Sequence, residues 1–150
     1  MARYQAKILW FGNVVTQDGF ARIGNELCIR LQRRGHTIGA AAIFTQHVPW
    51  NWPYQVWGLL GHDLWSELQT AIAQLQPDIL IICQDWPYLH TAVNLPRLDR
   101  TQTAVIGITP TDGVPIFQQW LASVPQFDAL FTISRFGVQA FRHAGVVDRW

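Results

Sequence analysis

Lysine is nearly absent: of the eleven basic residues, only Lys7 is a lysine, and the rest are arginines. That leaves no lysine to cradle a phosphate in a G-x-x-x-x-G-K-[S/T] loop. Neither this motif nor G-x-G-x-x-G occurs, since Gly12, Gly19 and Gly24 have the wrong spacing. Charge is scarce overall, at 14% of residues with a net charge of +1, so composition argues against a nucleic-acid partner. Long apolar runs are also missing, which excludes a transmembrane helix. The stretch Met1–Lys7 lacks the apolar core of a signal peptide, and a cytoplasmic setting is expected. Cysteine is limited to Cys28 and Cys83, both among aliphatic residues, where they read as buried free thiols. The five histidines (His36, His47, His62, His90 and His143) show no H-x-x-x-H or H-E-x-x-H spacing, and no metal site is expected.

What the chain does have is apolar mass. Its 150 residues are 49% hydrophobic and include eight tryptophans. One domain of this size buries about two-thirds of the surface its unfolded chain would expose. The order of elements then sets the fold class. Short aliphatic runs near 7–11, 37–43, 79–83, 104–109 and 129–133 read as strands. Helical patterns alternate with them. The first begins near Phe20 with Ile23, Leu27, Cys28 and Leu31 on one face, and ends before Gly35. A second is capped by Asp63 and broken at Pro77, a third covers 87–94, a fourth covers 115–121, and a last is capped by Ser134. Residues 45–62, rich in tryptophan and broken by Pro49, Pro53, Gly58 and Gly61, read as irregular. Ile79–Cys83 is apolar on both faces, as a covered parallel strand must be. The chain therefore reads as α/β: a three-layer α/β/α Rossmann-like domain with a parallel sheet, without repeats or linkers.

Ligands of such sheets bind beyond the carboxyl ends of the strands. That rule selects Gly12, Asn13, Gly19 and Phe20 after the first strand, Asp85 after the third, the loop 109–113, and Ser134 and Arg135 after the fifth. The helix start at Gly19–Phe20 favours an anion, or is a plain connection. Asp112 is placed to accept a proton from a bound hydroxyl, or caps the helix that follows. Asp85 has the same two readings, with Pro87 in the first helical turn. Arg135 is placed to reach an anionic ligand and Ser134 to donate to one. No His–Asp pair adjoins Ser134, so a serine triad has no support. Trp50, Trp52 and Trp57 either stack on a ligand or plug a long excursion of the chain.

Several stretches resemble one family in order. Gly19-Phe-Ala-Arg-Ile23 with Leu27, Leu31 and Arg34-Gly-His-Thr37 resembles the first helix and R-G-H turn of retaining, GT4-like glycosyltransferases of the GT-B fold. Pro77-Asp78-Ile-Leu-Ile81 resembles their third strand. Thr111-Asp-Gly-Val-Pro115 with Trp120 resembles a D-G-x-P…W stretch, and Phe127–Gly137 resembles the D-x-apolar-T-x-S-x-F-G signature that ends the first domain. The resemblance implies an N-terminal, acceptor-side Rossmann-like domain. Its partners would be an acceptor sugar or other hydroxyl-bearing small molecule, and a C-terminal domain absent from this chain that grips the nucleotide sugar. The nucleotide sugar would be a co-substrate, with no cofactor and no metal. Asp112 would be the catalytic residue. Gly12, Asn13, Gly19, Phe20, Asp85, Ser134 and Arg135 would bind substrate. The family's E-x7-E motif is missing, so the isolated chain is expected to be inactive. The alternative is a non-catalytic, stand-alone binding or interaction module of the same fold.

Overall fold

A computed structural model describes residues 4–16, 18–43, 51–59, 63–111 and 113–146. Among them are six strands: β1 (Lys7–Gly12), β2 (Thr37–Ile43), β3 (Gln55–Leu59), β4 (Ile79–Cys83), β5 (Ala104–Thr109) and β6 (Ala129–Thr132). Five α-helices accompany them: α1 (Gly19–Arg33), α2 (Leu64–Leu75), α3 (Trp86–Val93), α4 (Gln118–Leu121) and α5 (Arg135–His143). The strands form one sheet in the order β3-β2-β1-β4-β5-β6, and every pair is parallel. This is the three-layer, Rossmann-like architecture. The order reverses between β1 and β4, with Gly12 paired to Cys83 at their carboxyl ends. None of the described helices is long and apolar enough to cross a membrane.

Each layer follows from the side chains. One face of β1 and β4, through Leu9, Phe11, Leu80 and Ile82, packs under α2 and α3 with Leu68, Ile72, Leu89 and Val93. The other face carries Trp10, Ile38, Ile81 and Cys83 against Cys28 of α1 and Tyr54. Helix α1 meets the sheet through Ala21, Gly24 and Cys28. The expected apolar stripe holds at Phe20, Leu27, Cys28 and Leu31, which pack against the core, while Ile23 stands at the surface. At Gly24 the fully buried indole of Trp10 fills the space a larger helical side chain would need. A Cβ on Gly24 would fall 2.9 Å from Trp10 Cε2 and 2.7 Å from the Asn13 carbonyl oxygen.

Two stretches differ from the sequence expectation. The segment read as irregular contains β3, an edge strand whose Trp57 lies against Gly39 and donates from Nε1 to Gln74 Oε1 at 2.8 Å. Proline and glycine on either side conceal the strand pattern. The helix expected from residue 115 starts at Gln118, because Ile116 is drawn into the core while Phe117 keeps extended backbone.

The amino edge of the sheet is clipped by two aspartates. Asp78 accepts from the Lys7 amide at 2.7 Å, joining β4 to β1. Asp128 accepts from the Val105 amide at 2.6 Å and pairs with Arg100 at 2.8 Å. The Val105 amide, together with Arg100, holds the Asp128 carboxyl below the usual carboxylate range despite partial burial.

Gly24→Ala should reverse the ordinary helix preference. Alanine normally stabilises a helix interior by about 1 kcal/mol, but here overpacking should cost about 1–3 kcal/mol. Urea unfolding of the variant measures the sign. A second expectation concerns alkali. Burial, with the neighbouring Cys83, pushes the Cys28 thiol up to about 12, and burial likewise pushes Cys83 up to about 12, both from ordinary values of 9.0. Stability from the protonated thiols is complete below pH 9 and is lost as pH rises towards 12. The loss should amount to roughly 1 kcal/mol per thiol by about pH 10. Replacing both cysteines by alanine should flatten the alkaline limb of a plot of Tm against pH.

Candidate functional site

The sheet order brings the β1 and β4 loops together at their carboxyl ends. Gly12 has φ +152°, and a Cβ there would fall 2.5 Å from the Cys83 carbonyl oxygen, so the close β1–β4 approach itself requires glycine. Asn13 is buried, and its side chain turns inward: Nδ2 donates to Asp18 at 2.9 Å and Oδ1 accepts from Gln84 at 3.4 Å. Asp18 also accepts from Thr16 at 2.5 Å and from the Ala21 amide at 2.8 Å, which makes it the N-cap of α1. Partial burial works to raise the Asp18 carboxyl, but hydrogen bonds from Thr16, Ala21, Asn13 and Phe20 outweigh it and hold it below its ordinary value. The positive end of α1 is therefore already occupied by the chain's own carboxylate. Gly19 is exposed with open space around it, and Phe20 is half-buried.

A second region lies beyond β4 and β5. A cavity of about 400 Å³ opens there, walled by Asp85, Trp86 and Pro87 at the start of α3 and by residues 110–111 and 113–117 after β5, with Trp120 of α4. Asp85 holds the N-cap position of α3, with Pro87 in the first turn, but makes no side-chain cap to it. The cavity wall is mainly aromatic and aliphatic. Trp86 and Trp120 lie parallel, within 5°, with ring centroids 6.3 Å apart, and Phe117 meets Trp120 edge-on at 4.7 Å. Phe141 of α5 supports Trp86 from behind at 5.5 Å.

Two polar atoms of this wall are buried without a partner: Trp86 Nε1 and Thr111 Oγ1. Neither atom exposes surface, so each carries the cost of about 1–3 kcal/mol of a buried hydrogen bond left unmade, as do Trp10 Nε1 and Thr132 Oγ1 away from the cavity. Sequence reasoning assigned neither a role, although each adjoins a residue it singled out. The aromatic signal had pointed instead to the tryptophans near residue 50. Trp52 and Trp57 are half-buried on the β2–β3 side, where Trp52 stacks on Tyr54 at 5.8 Å, and neither lines the cavity. Trp50 lies outside the described residues.

Asp112 also lies outside the described residues, between Thr111 and Gly113 of the cavity wall. Ser134 caps α5, accepting from the Gly137 amide at 3.0 Å, and Arg135 is exposed beside it. Both follow β6, three strand spacings from β1, or about 14 Å along the carboxyl edge. The structure thus gathers Gly12, Asn13 and Asp85 near the point where strand order reverses and leaves Ser134 and Arg135 at the far edge. Among the described residues, no group of three or more His, Cys, Asp or Glu side chains is arranged to hold a metal.

No protein-family model matches this sequence, and no curated protein matches it significantly.

Removing the cap tests the account of the first loop. Asp18→Ala should destabilise the chain by about 1–2 kcal/mol in urea unfolding. The stabilising contribution of Asp18 exists above the ordinary aspartate range and is lost as pH falls through its lowered value. The difference between wild type and variant should therefore shrink in acid.

Proposed function

We propose that this chain is the acceptor-side domain of a GT-B glycosyltransferase, which moves a sugar from a nucleotide-sugar donor to an acceptor hydroxyl. The observation that carries the reading is the cavity formed by the β4 and β5 loops. It is built from Gln84-Asp-Trp-Pro87 and from Thr111–Pro115 with Trp120, the second of which resembles that family. The sheet order supports it, since ligands of doubly wound sheets gather where strand order reverses. In this reading the acceptor enters the cavity and its reacting hydroxyl meets Asp112 as general base. Gly12, Asn13, Gly19 and Phe20 line the loop facing a donor held by a second domain, and Ser134 and Arg135 stand on the same edge. Asp18 at the head of α1 disfavours a diphosphate bound by this domain alone. The setting is cytoplasmic.

Calorimetry of the 150-residue chain with uridine- and guanosine-diphosphate sugars should therefore give binding no tighter than about millimolar, near 4 kcal/mol. In the assembled transferase, Asp112→Asn should lower turnover by about 10²-fold or more, with unchanged melting. Micromolar donor binding by this chain, or unaltered turnover in the variant, would count against the reading. A chain that binds glycosides but supports no transfer even when joined to a donor-binding domain would instead be the stand-alone binding module.

A further inference from the structure

The helices are divided unevenly between the two faces of the sheet. Helices α2, α3, α4 and α5 all pack on one face. The other carries α1 alone among the described helices, lying over β1 and β2. One flank of α1 turns towards β3: Asn25 accepts from Tyr54 at 2.9 Å and Gln32 donates to the Pro53 carbonyl. The opposite flank holds Phe20, Leu27 and Leu31, at i, i+7 and i+11, and faces β4 and β5. Beyond it the sheet has no roof among the described residues. The register sets Ala129 and Phe131 of β6 beside Ile106 and Ile108 of β5, which are only half-buried on this face. Phe131 is 48% exposed, and Ile133, just past the strand, is 57% exposed. The result is an apolar trough with α1 as one wall. The three strands from β4 to β6 span about 10 Å, the width of one helix.

Shape and charge narrow what covers it. A bilayer is flat on this scale and would rest on α1, leaving the recessed floor bare. A second copy presents only α1 on this face, and the outer surface of α1 carries Arg22, Glu26, Arg30 and Arg33, all exposed. Laid on isoleucine and phenylalanine, those charges would lose water and gain no partner. The longest stretch outside the described residues, 44–50, is no longer than about two helical turns. The wall itself is basic: from Gly19 to its C-cap Arg34, α1 carries four arginines against one glutamate, and only Arg30 is ion-paired. We propose that the trough docks an amphipathic helix of a separate partner protein. Its apolar stripe lies on Ile108, Phe131 and Leu27, and acidic side chains beside the stripe meet the arginines of α1. The proposal is independent of the transferase reading, because the trough lies on the face opposite α3 and α4, which wall the cavity.

Fluorescence anisotropy with the 150-residue chain tests this. The probe is a labelled peptide as long as α1, about 15 residues, with leucine at helical spacing and glutamate on both flanks. Its controls are the same peptide with lysine for glutamate and one interrupted by proline. The glutamate peptide should bind saturably with Kd of about 100 μM or tighter. The lysine peptide should bind about tenfold more weakly or worse, and the proline peptide should not bind. Phe131→Ala removes an exposed ring, so it should melt like wild type and bind the glutamate peptide about tenfold more weakly. Arg34→Glu should weaken the glutamate peptide and strengthen the lysine peptide, a crossed result that a misfolded variant does not give. The proposal is overturned if the glutamate peptide fails to bind, if the lysine peptide binds equally well, or if Phe131→Ala or Arg34→Glu changes neither affinity. Two further outcomes also overturn it by naming another occupant. One is a dimer in sedimentation that Phe131→Ala dissolves. The other is co-sedimentation with phosphatidylglycerol vesicles that displaces the peptide.

Discussion

The Trp10 indole, sealed between β1 and α1, sets the spacing that the carboxyl edge inherits. Because Gly24 carries no side chain, α1 settles against the ring, and the Asn13 carbonyl comes within reach of the same turn. That contact fixes the course of the loop from Gly12 to Thr16. Two hydrogen-bond chains then tie the loop down. Tyr54 donates to Asn25, whose amide donates to the Val14 carbonyl; Thr16 and Asn13 donate to Asp18. The indole N–H of Trp10 has no partner of its own. The space gained by packing a large ring flat against a helix is accompanied by one unsatisfied donor in the core.

Most of the fold was legible because parallel strands covered on both faces leave uninterrupted aliphatic runs, as in Ile79–Cys83. Caps were legible too: Asp63 and Ser134 sit where the helices start. The edge strand β3 and the start of the short helix α4 were not. β3 is five residues long and bounded by prolines and glycines, so its alternation has no room to stand out. The apolar face of α1 was legible in Phe20, Leu27, Cys28 and Leu31, but the close contact at Ala21 and Gly24 was not, because small residues carry no hydrophobic signal although they decide how closely a helix can approach. The cavity was less legible still. It depends on β4 and β5 being neighbours and on Trp86 and Trp120 meeting across two loops, which no local pattern encodes.

The aspartates of the quoted motifs serve different ends. Asp78 and Asp128 lie at the amino edge, opposite the cavity, and hold strands together through backbone amides. Their presence in two family-like stretches reflects the construction of the sheet rather than chemistry. Asp85 belongs to the carboxyl edge and the cavity wall. A motif aspartate is thus informative about function only once its edge of the sheet is known.

The two halves of the sheet are unequally roofed. β1 and β2 are covered on both faces, but on the α1 side Ile106 and Ile108 of β5 are half-buried and Phe131 of β6, alongside Ile108, stands at the surface. Resistance to local opening follows buried apolar contact. Amide exchange should therefore be slowest at β1 and β4 and quicken outward through β5 to β6. The cavity is built from loops that lie between these regimes, with α3 anchored on the protected side and residues 113–117 leading towards the freer one. One wall of the pocket is consequently stiff and the other compliant, so the breathing of a single sheet edge sets how readily the pocket changes width.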